Sequence, residues 1–210
     1  MTDKVTFYYN PMSRGRIAHW MLEEVGAEYE IKLLKWETGD HKSADYLKIN
    51  PMGKVPAIVH KKVVVTETSA ICAYLADAFP QANLAHDVRD PRRGAYYRWL
   101  FFTASCMEPA MLDKTNPRMD SPKPSHLGYG SYSDVVSNLE QAVSNGFLLE
   151  EQFSAADLFL ASNLEWYIFT KALEAKPVFT KYIARCQDRP GYKRYIQRLV
   201  QSASALIGKY

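Results

Sequence analysis

The sequence predicts an α/β domain at residues 1–80, a linker at 81–90 and an all-helical domain at 91–210. Three observations carry this. Strand and helix signals alternate up to residue 80 in the order β-α-β-α-β-β-α. From Pro91 onward the apolar spacing is helical throughout. Between them, Gln81 to Asp90 shows neither period.

Each element has a local cause. Val5-Thr6-Phe7-Tyr8-Tyr9 is β-branched and aromatic and stops at Asn10-Pro11, as a buried strand does. Ser13 opens a run with Ile17, Trp20, Met21, Leu22 and Val25 at helical spacing, and Gly26 is its C-terminal cap. Tyr29 to Leu34 is a second strand, parallel to the first because a helix joins them. Ser43 to Ile49 is a short helix ended by Asn50-Pro51. Val55 to Val59 and Val63 to Val65, separated by His60-Lys61-Lys62, suit a hairpin that lacks a turn glycine. Glu67 to Phe79 is helical, with Pro80 after it. This order is the thioredoxin-like arrangement.

The second half begins with an aromatic helix from about Pro91, carrying Tyr96, Trp99, Leu100, Phe102 and Met107. Pro117, Pro122, Pro124, Gly128 and Gly130 then impose a loop. Helices resume at roughly Tyr132 to Asn145, Ser154 to Lys171, Pro177 to Gln187 and Gly191 to Leu206. Ser154-Ala-Ala-Asp157 is a capping-box-like start, with Asp in place of Glu.

Composition excludes several classes of protein. At 47% hydrophobic and 23% charged residues, the chain has the profile of a soluble globular protein. A net charge of +3 is too small to argue for nucleic acid or an anionic membrane surface. No stretch has the apolar length of a membrane span, and no secretory signal pattern is visible. Cys72, Cys106 and Cys186 are widely spaced and odd in number, which fits a reducing cytoplasmic setting and neither a disulfide framework nor a C-x-x-C site. The histidines lack H-x-x-x-H spacing, so no metal is expected.

Two segments carry chemistry. In Asn50-Pro51-Met52-Gly53-Lys54-Val55-Pro56, a proline opens an otherwise good strand. Either Pro56 marks an edge strand, or the Val55–Pro56 bond is cis and turns the Val55 N–H and C=O toward an extended peptide ligand. Glu67-Thr68-Ser69 lies where a strand gives way to a helix. It is either a routine cap or a site where helix N–H groups and the Thr68 hydroxyl hold a carboxylate while Glu67 holds an ammonium.

Together these segments resemble the cytosolic glutathione transferase family, in its bacterial, theta-like and serine-type form. The N-P-x-G-K-V-P-A run at Asn50 to Ala57, followed by Glu67-Thr-Ser-Ala-Ile71 and Tyr74-Leu75, is similar to the family's glutathione-binding half. Tyr8-Tyr9-Asn10-Pro11-Met12-Ser13-Arg14 with Leu22-Glu23-Glu24-Val25-Gly26 is similar to its first strand and helix. Phe153-Ser-Ala-Ala-Asp157-Leu158 is similar to the capping motif of its helical domain, which makes Asp157 structural.

The resemblance implies a glutathione transferase, with glutathione as cosubstrate and a small apolar electrophile as partner. Val55, directly before Pro56, would pair with the cysteinyl part. Glu67 and Thr68 would hold the γ-glutamyl end, and His41 and Lys54 the glycyl carboxylate. His41 reads equally as a solvated loop residue. Ser13 is the expected thiolate donor at the mouth of the first helix, with Tyr8 and Asn10 as alternatives. The absence of cysteine before Cys72 disfavours disulfide exchange. Tyr96, Tyr97, Trp99, Phe101 and Phe102 form either core or a pocket wall, and basic Lys193, Arg194 and Arg198 read as a solvated face. Alternatives in the same fold are a glutathione-dependent peroxidase, isomerase or dehalogenase, or a non-catalytic binding protein. Family members are usually homodimers, so a homodimer is expected.

Overall fold

The computed structural model describes residues 4–117, 119–120 and 122–207, with side chains described up to residue 201. The chain divides into two compact units, Met1–Asn83 with Asp188–Tyr210, and Leu84–Gln187.

The first unit holds a four-stranded sheet in the order β2-β1-β3-β4. Its strands are β1 (Val5–Tyr9), β2 (Tyr29–Leu33), β3 (Ala57–His60) and β4 (Val63–Thr66); its helices are α1 (Gly15–Val25), α2 (Ala44–Ile49) and α3 (Thr68–Ala78). β1 pairs parallel with β2 and antiparallel with β3, which pairs antiparallel with β4. This is the thioredoxin-like order that the sequence predicts. Val5, Phe7 and Tyr9 alternate into the core while Thr6 and Tyr8 face the other way, half-buried. Gly26 caps α1 in the left-handed region at φ 67°, as expected from its place after Val25.

The hairpin closes without glycine because Lys61 and Lys62 both take positive φ, 49° and 69°. His60 pairs with Val63, so these two lysines form the whole loop.

The second unit is helical: α4 (Arg93–Phe102), α5 (Glu108–Thr115), α6 (Tyr132–Val143), α7 (Ala155–Phe169) and α8 (Pro177–Gln187). The aromatic helix predicted from Pro91 is interrupted by a π-helical turn at Thr103–Met107. There the Thr103 and Ser105 hydroxyls bond back to the carbonyls of Trp99 (2.8 Å) and Phe101 (2.7 Å), a competition that local periodicity does not reveal. Within this run Tyr96 and Trp99 are buried, whereas Phe101 is 65% exposed. α7 starts with a complete capping box. The Asp157 carboxylate accepts from Ser154 N–H (2.9 Å) and Oγ (2.7 Å), from Leu148 N–H (2.7 Å) and from Tyr182 Oη (2.8 Å). Asp157 is therefore a structural anchor.

The last helix, α9 (Pro190–Ile207), belongs to the first unit, where it packs along α1. Its helical period alone groups it with residues 91–210, because periodicity does not say which core a helix joins. The solvated-face reading holds for Lys193, which pairs with Asp188 on the surface; Arg194 and Arg198 are exposed as well, and in addition reach inward to a buried carboxylate. Arg198 Nε lies 2.7 Å from Glu23 Oε1 and Arg194 Nε 3.5 Å from Glu23 Oε2, while Arg189 Nη2 lies 3.1 Å from Glu24 Oε2. Both glutamate side chains are almost fully buried, and a buried carboxylate is tolerated only when paired.

Candidate functional site

Strand register assembles the site. Tyr8 stands opposite Ala57, and Ala57 stands opposite Thr66. One end of the sheet therefore gathers the start of β3 after Pro56, the end of β4 before Glu67, and the end of β1 before Ser13. α1 and α3 both open at this end, and their first N–H groups lack intrahelical partners.

The Val55–Pro56 bond is cis, the second of the two alternatives open from sequence. Val55 is half-buried, and its N–H and C=O have no hydrogen-bond partner among the described residues. The preceding loop is held from several sides. The Lys54 carbonyl accepts from Tyr46 Oη and from Asn50 Nδ2 (2.8 Å), and Asn50 Oδ1 accepts the Met52 N–H (3.1 Å). Lys42 Nζ reaches the Met52 carbonyl at 3.0 Å. Gly53 has φ 60°, and a Cβ there would sit 2.6 Å from the His41 carbonyl oxygen. Sequence reasoning missed Lys42 and Tyr46 as loop supports. Asn50 did carry a signal, since Asn before Pro favours a side-chain-bonded turn.

The same contact brings His41 beside the loop that carries Lys54. The His41 ring lies edge-on to Trp36, with centroids 4.8 Å apart, and the residue is half-buried. The Lys54 side chain is exposed.

Glu67 is exposed and has φ 64° and ψ 121°, a conformation costing on the order of 1–3 kcal/mol for a non-glycine residue and concentrated at functional sites. Thr68 is buried at the first position of α3, and no side chain caps this end. The N–H groups of the first turn are thus available to an anion.

The three candidate donors differ sharply. Asn10 is buried, with Nδ2 on the Leu34 carbonyl (2.7 Å) and Oδ1 accepting the Met12 N–H (2.8 Å), so its amide holds the β1–α1 turn. Ser13 is half-buried, donates to the Asn10 carbonyl (2.6 Å) and accepts the Gly15 N–H (3.0 Å). Tyr8 packs with Val55, Ile49 and Tyr46 beside Leu34 and Ala57, and its hydroxyl has no hydrogen-bond partner among the described residues.

Cysteine chemistry has no support near this end. Cys72 is fully buried in α3, and burial pushes its thiol up to about 12. Among the described residues, no group of three or more His, Cys, Asp or Glu is placed to hold a metal ion. No described helix is long and apolar enough to cross a membrane.

The fold and this site define a thioredoxin-like domain joined to a helical one, and known proteins agree. The family model of the glutathione S-transferase N-terminal domain matches residues 3–77. Glutathione S-transferase A of Pleuronectes platessa is 29% identical over 187 residues, covering 82% of each chain. Glutathione S-transferase GstA of Escherichia coli O157:H7 is 28% identical over 199 residues, covering 87% of this chain and 92% of its own. Among solved structures, a glutathione transferase from Methylococcus capsulatus superposes with TM-score 0.74 at 27% identity, covering 92% of this chain and 98% of its own. A glutathione transferase from Phanerochaete chrysosporium in complex with oxidized glutathione gives TM-score 0.77 at 24% identity, over 94% and 96%, a likeness of fold. Residues 3–77 thus carry the N-terminal domain of the glutathione S-transferase family, and the chain as a whole is similar to glutathione S-transferases of bacteria, plants and animals.

Proposed function

We propose that this protein binds glutathione at the β1–β3–β4 end of the sheet and transfers its thiolate to a small apolar electrophile, forming a thioether. One observation supports this most: the unpaired Val55 backbone and the uncapped Glu67–Thr68 helix start are set side by side by the Ala57–Thr66 pairing. An extended peptide ligand needs a strand-like partner, and an α-amino acid end needs an anion site beside a carboxylate. Val55, directly before cis Pro56, takes the cysteinyl backbone. Thr68 and the first N–H groups of α3 take the γ-glutamyl carboxylate, and Glu67 its ammonium. His41 and Lys54 take the glycyl carboxylate.

Ser13 stabilises the thiolate with its hydroxyl, aided by the positive end of α1. The protein contributes orientation and electrostatics. It works as a cytoplasmic homodimer with a detoxifying role.

The bond from Ser13 to the Asn10 carbonyl favours a second reading, a glutathione-binding protein without transferase activity. Catalysis requires that hydroxyl to turn from the carbonyl to the thiolate.

Calorimetric titration of glutathione into wild type and Glu67→Ala tests the site. Saturable one-to-one binding per chain, weakened about thirtyfold or more in the variant, is expected for loss of a charge-assisted hydrogen bond. No saturation up to millimolar glutathione would exclude the site. Binding without turnover of any electrophile or hydroperoxide would favour the second reading.

A further inference from the structure

α9 and the residues just before it meet α1 at several points. At the far end, Arg189 and Gly191 crowd Glu24; a Cβ on Gly191 would lie 2.5 Å from that carboxylate. In the middle, the Tyr192 ring stands edge-on to Trp20, centroids 4.8 Å apart. Near the start of α1, buried Tyr195 accepts a hydrogen bond from Arg16 Nε at 3.2 Å and stands edge-on to the His19 ring at 5.2 Å.

That last contact lies one turn from Ser13. A Cβ on Gly15 would meet the Tyr9 ring at 2.7 Å and Ser13 Oγ at 2.9 Å, so Tyr9, Gly15 and Ser13 are in file. Tyr9 packs edge-on against His19 (5.4 Å), which packs against Tyr195. Burial first, then the neighbouring Tyr195, pushes the Tyr9 phenol up; the Arg16 charge pulls it down. Asn10 pins the other side of the turn through Leu34 and Met12.

We propose that Tyr195 is a positioning residue for thiol activation: through Arg16, and behind His19 and Tyr9, it fixes the first turn of α1 that presents the Ser13 hydroxyl. The proposal rests on the glutathione reading above. A hydroxyl hydrogen bond weakens steeply with distance and angle, so its donor needs support on both sides of the turn. Asn10 supplies one side from β1, and Tyr195 the other from the C-terminal helix. The charged and titratable groups around this contact include Arg16, His19 and Glu23 on α1, Tyr9 on β1, Tyr29 on β2, and Tyr192 and Arg198 on α9.

The test titrates the thiol of glutathione bound to wild type, Tyr195→Phe, Arg16→Met, the double variant and Ser13→Ala, read as thiolate absorbance. Glutathione affinity is measured by calorimetry alongside. Tyr195→Phe and Arg16→Met are each expected to raise the titration midpoint by about half a pH unit, about threefold less thiolate near neutrality. Affinity stays within about twofold, and the double variant shifts no further than either single one, since the two residues act as one unit. Arg16→Met, at an exposed position, carries the test if Tyr195→Phe does not fold. Unchanged midpoints in both, with a raised midpoint in Ser13→Ala, would overturn the positioning role and leave the glutathione site standing. A wild type that binds no glutathione would overturn the site reading, and this proposal with it.

Discussion

Ser13 gives its hydroxyl hydrogen to the Asn10 carbonyl at 2.6 Å, and the Gly15 N–H donates to the serine oxygen at 3.0 Å. The serine is thus already held in place within the turn. A single rotation about Cβ–Oγ redirects its hydrogen without moving the chain. Loss of one preorganised donor to a developing anion costs about a hundredfold in rate. Ser13→Ala is therefore expected to lower kcat about a hundredfold toward a reactive aryl halide at slightly acid pH. Tyr8→Phe, which keeps the packing on Tyr46 and Val55, should stay within about threefold. The opposite order would move the thiolate donor to Tyr8.

Gly53 is the position where a methyl group does most harm to the loop. Its φ is 60°, and a Cβ would come within 2.6 Å of the His41 carbonyl oxygen, which leaves no room for a side chain. Gly53→Ala should cost about 2 kcal/mol of stability, read from urea unfolding. It should also weaken glutathione binding, because Lys54 and Val55 follow directly.

Lys62 occupies a left-handed position, φ 69°, in a two-residue hairpin loop. A glycine relieves about 1–2 kcal/mol of steric cost there, less its extra freedom in the unfolded chain. Lys62→Gly should stabilise the protein by about 0.5–1 kcal/mol, measured as a higher melting temperature with glutathione affinity unchanged.

His19 sets a pH dependence. Tyr29 Oη donates to Glu23, so His19 donates to Tyr29 from Nε2, leaving Nδ1 buried without a partner. Burial, and next the Arg198 charge, lower its pKa from 6.5 to about 4. Between these values the unfolded chain takes up a proton that the folded one refuses, so stability falls as pH falls. The difference is about 2 kcal/mol at about pH 5. Urea midpoints of wild type and His19→Gln, compared at about pH 7 and pH 5, should show this slope flattened in the variant. Parallel slopes would remove His19 from the balance.

Features that depend on near neighbours were legible along the chain. A β-branched and aromatic run made β1, Gly26 stopped α1, Ser154 with Asp157 started α7, and Pro56 after Gly53-Lys54-Val55 marked the bend. Each rests on φ/ψ preference or on partners a few residues apart. Packing between distant segments supplied the rest. Register put Tyr8, Ala57 and Thr66 in one row, and so set Val55 beside Glu67. Folding placed α9 on α1, with Arg194 and Arg198 on the buried Glu23, partners more than 170 residues apart that no local period encodes. It also assigned the Ser13 and Asn10 polar atoms to each other and to Leu34, because a side chain's chemistry is fixed by composition but its partner only by packing.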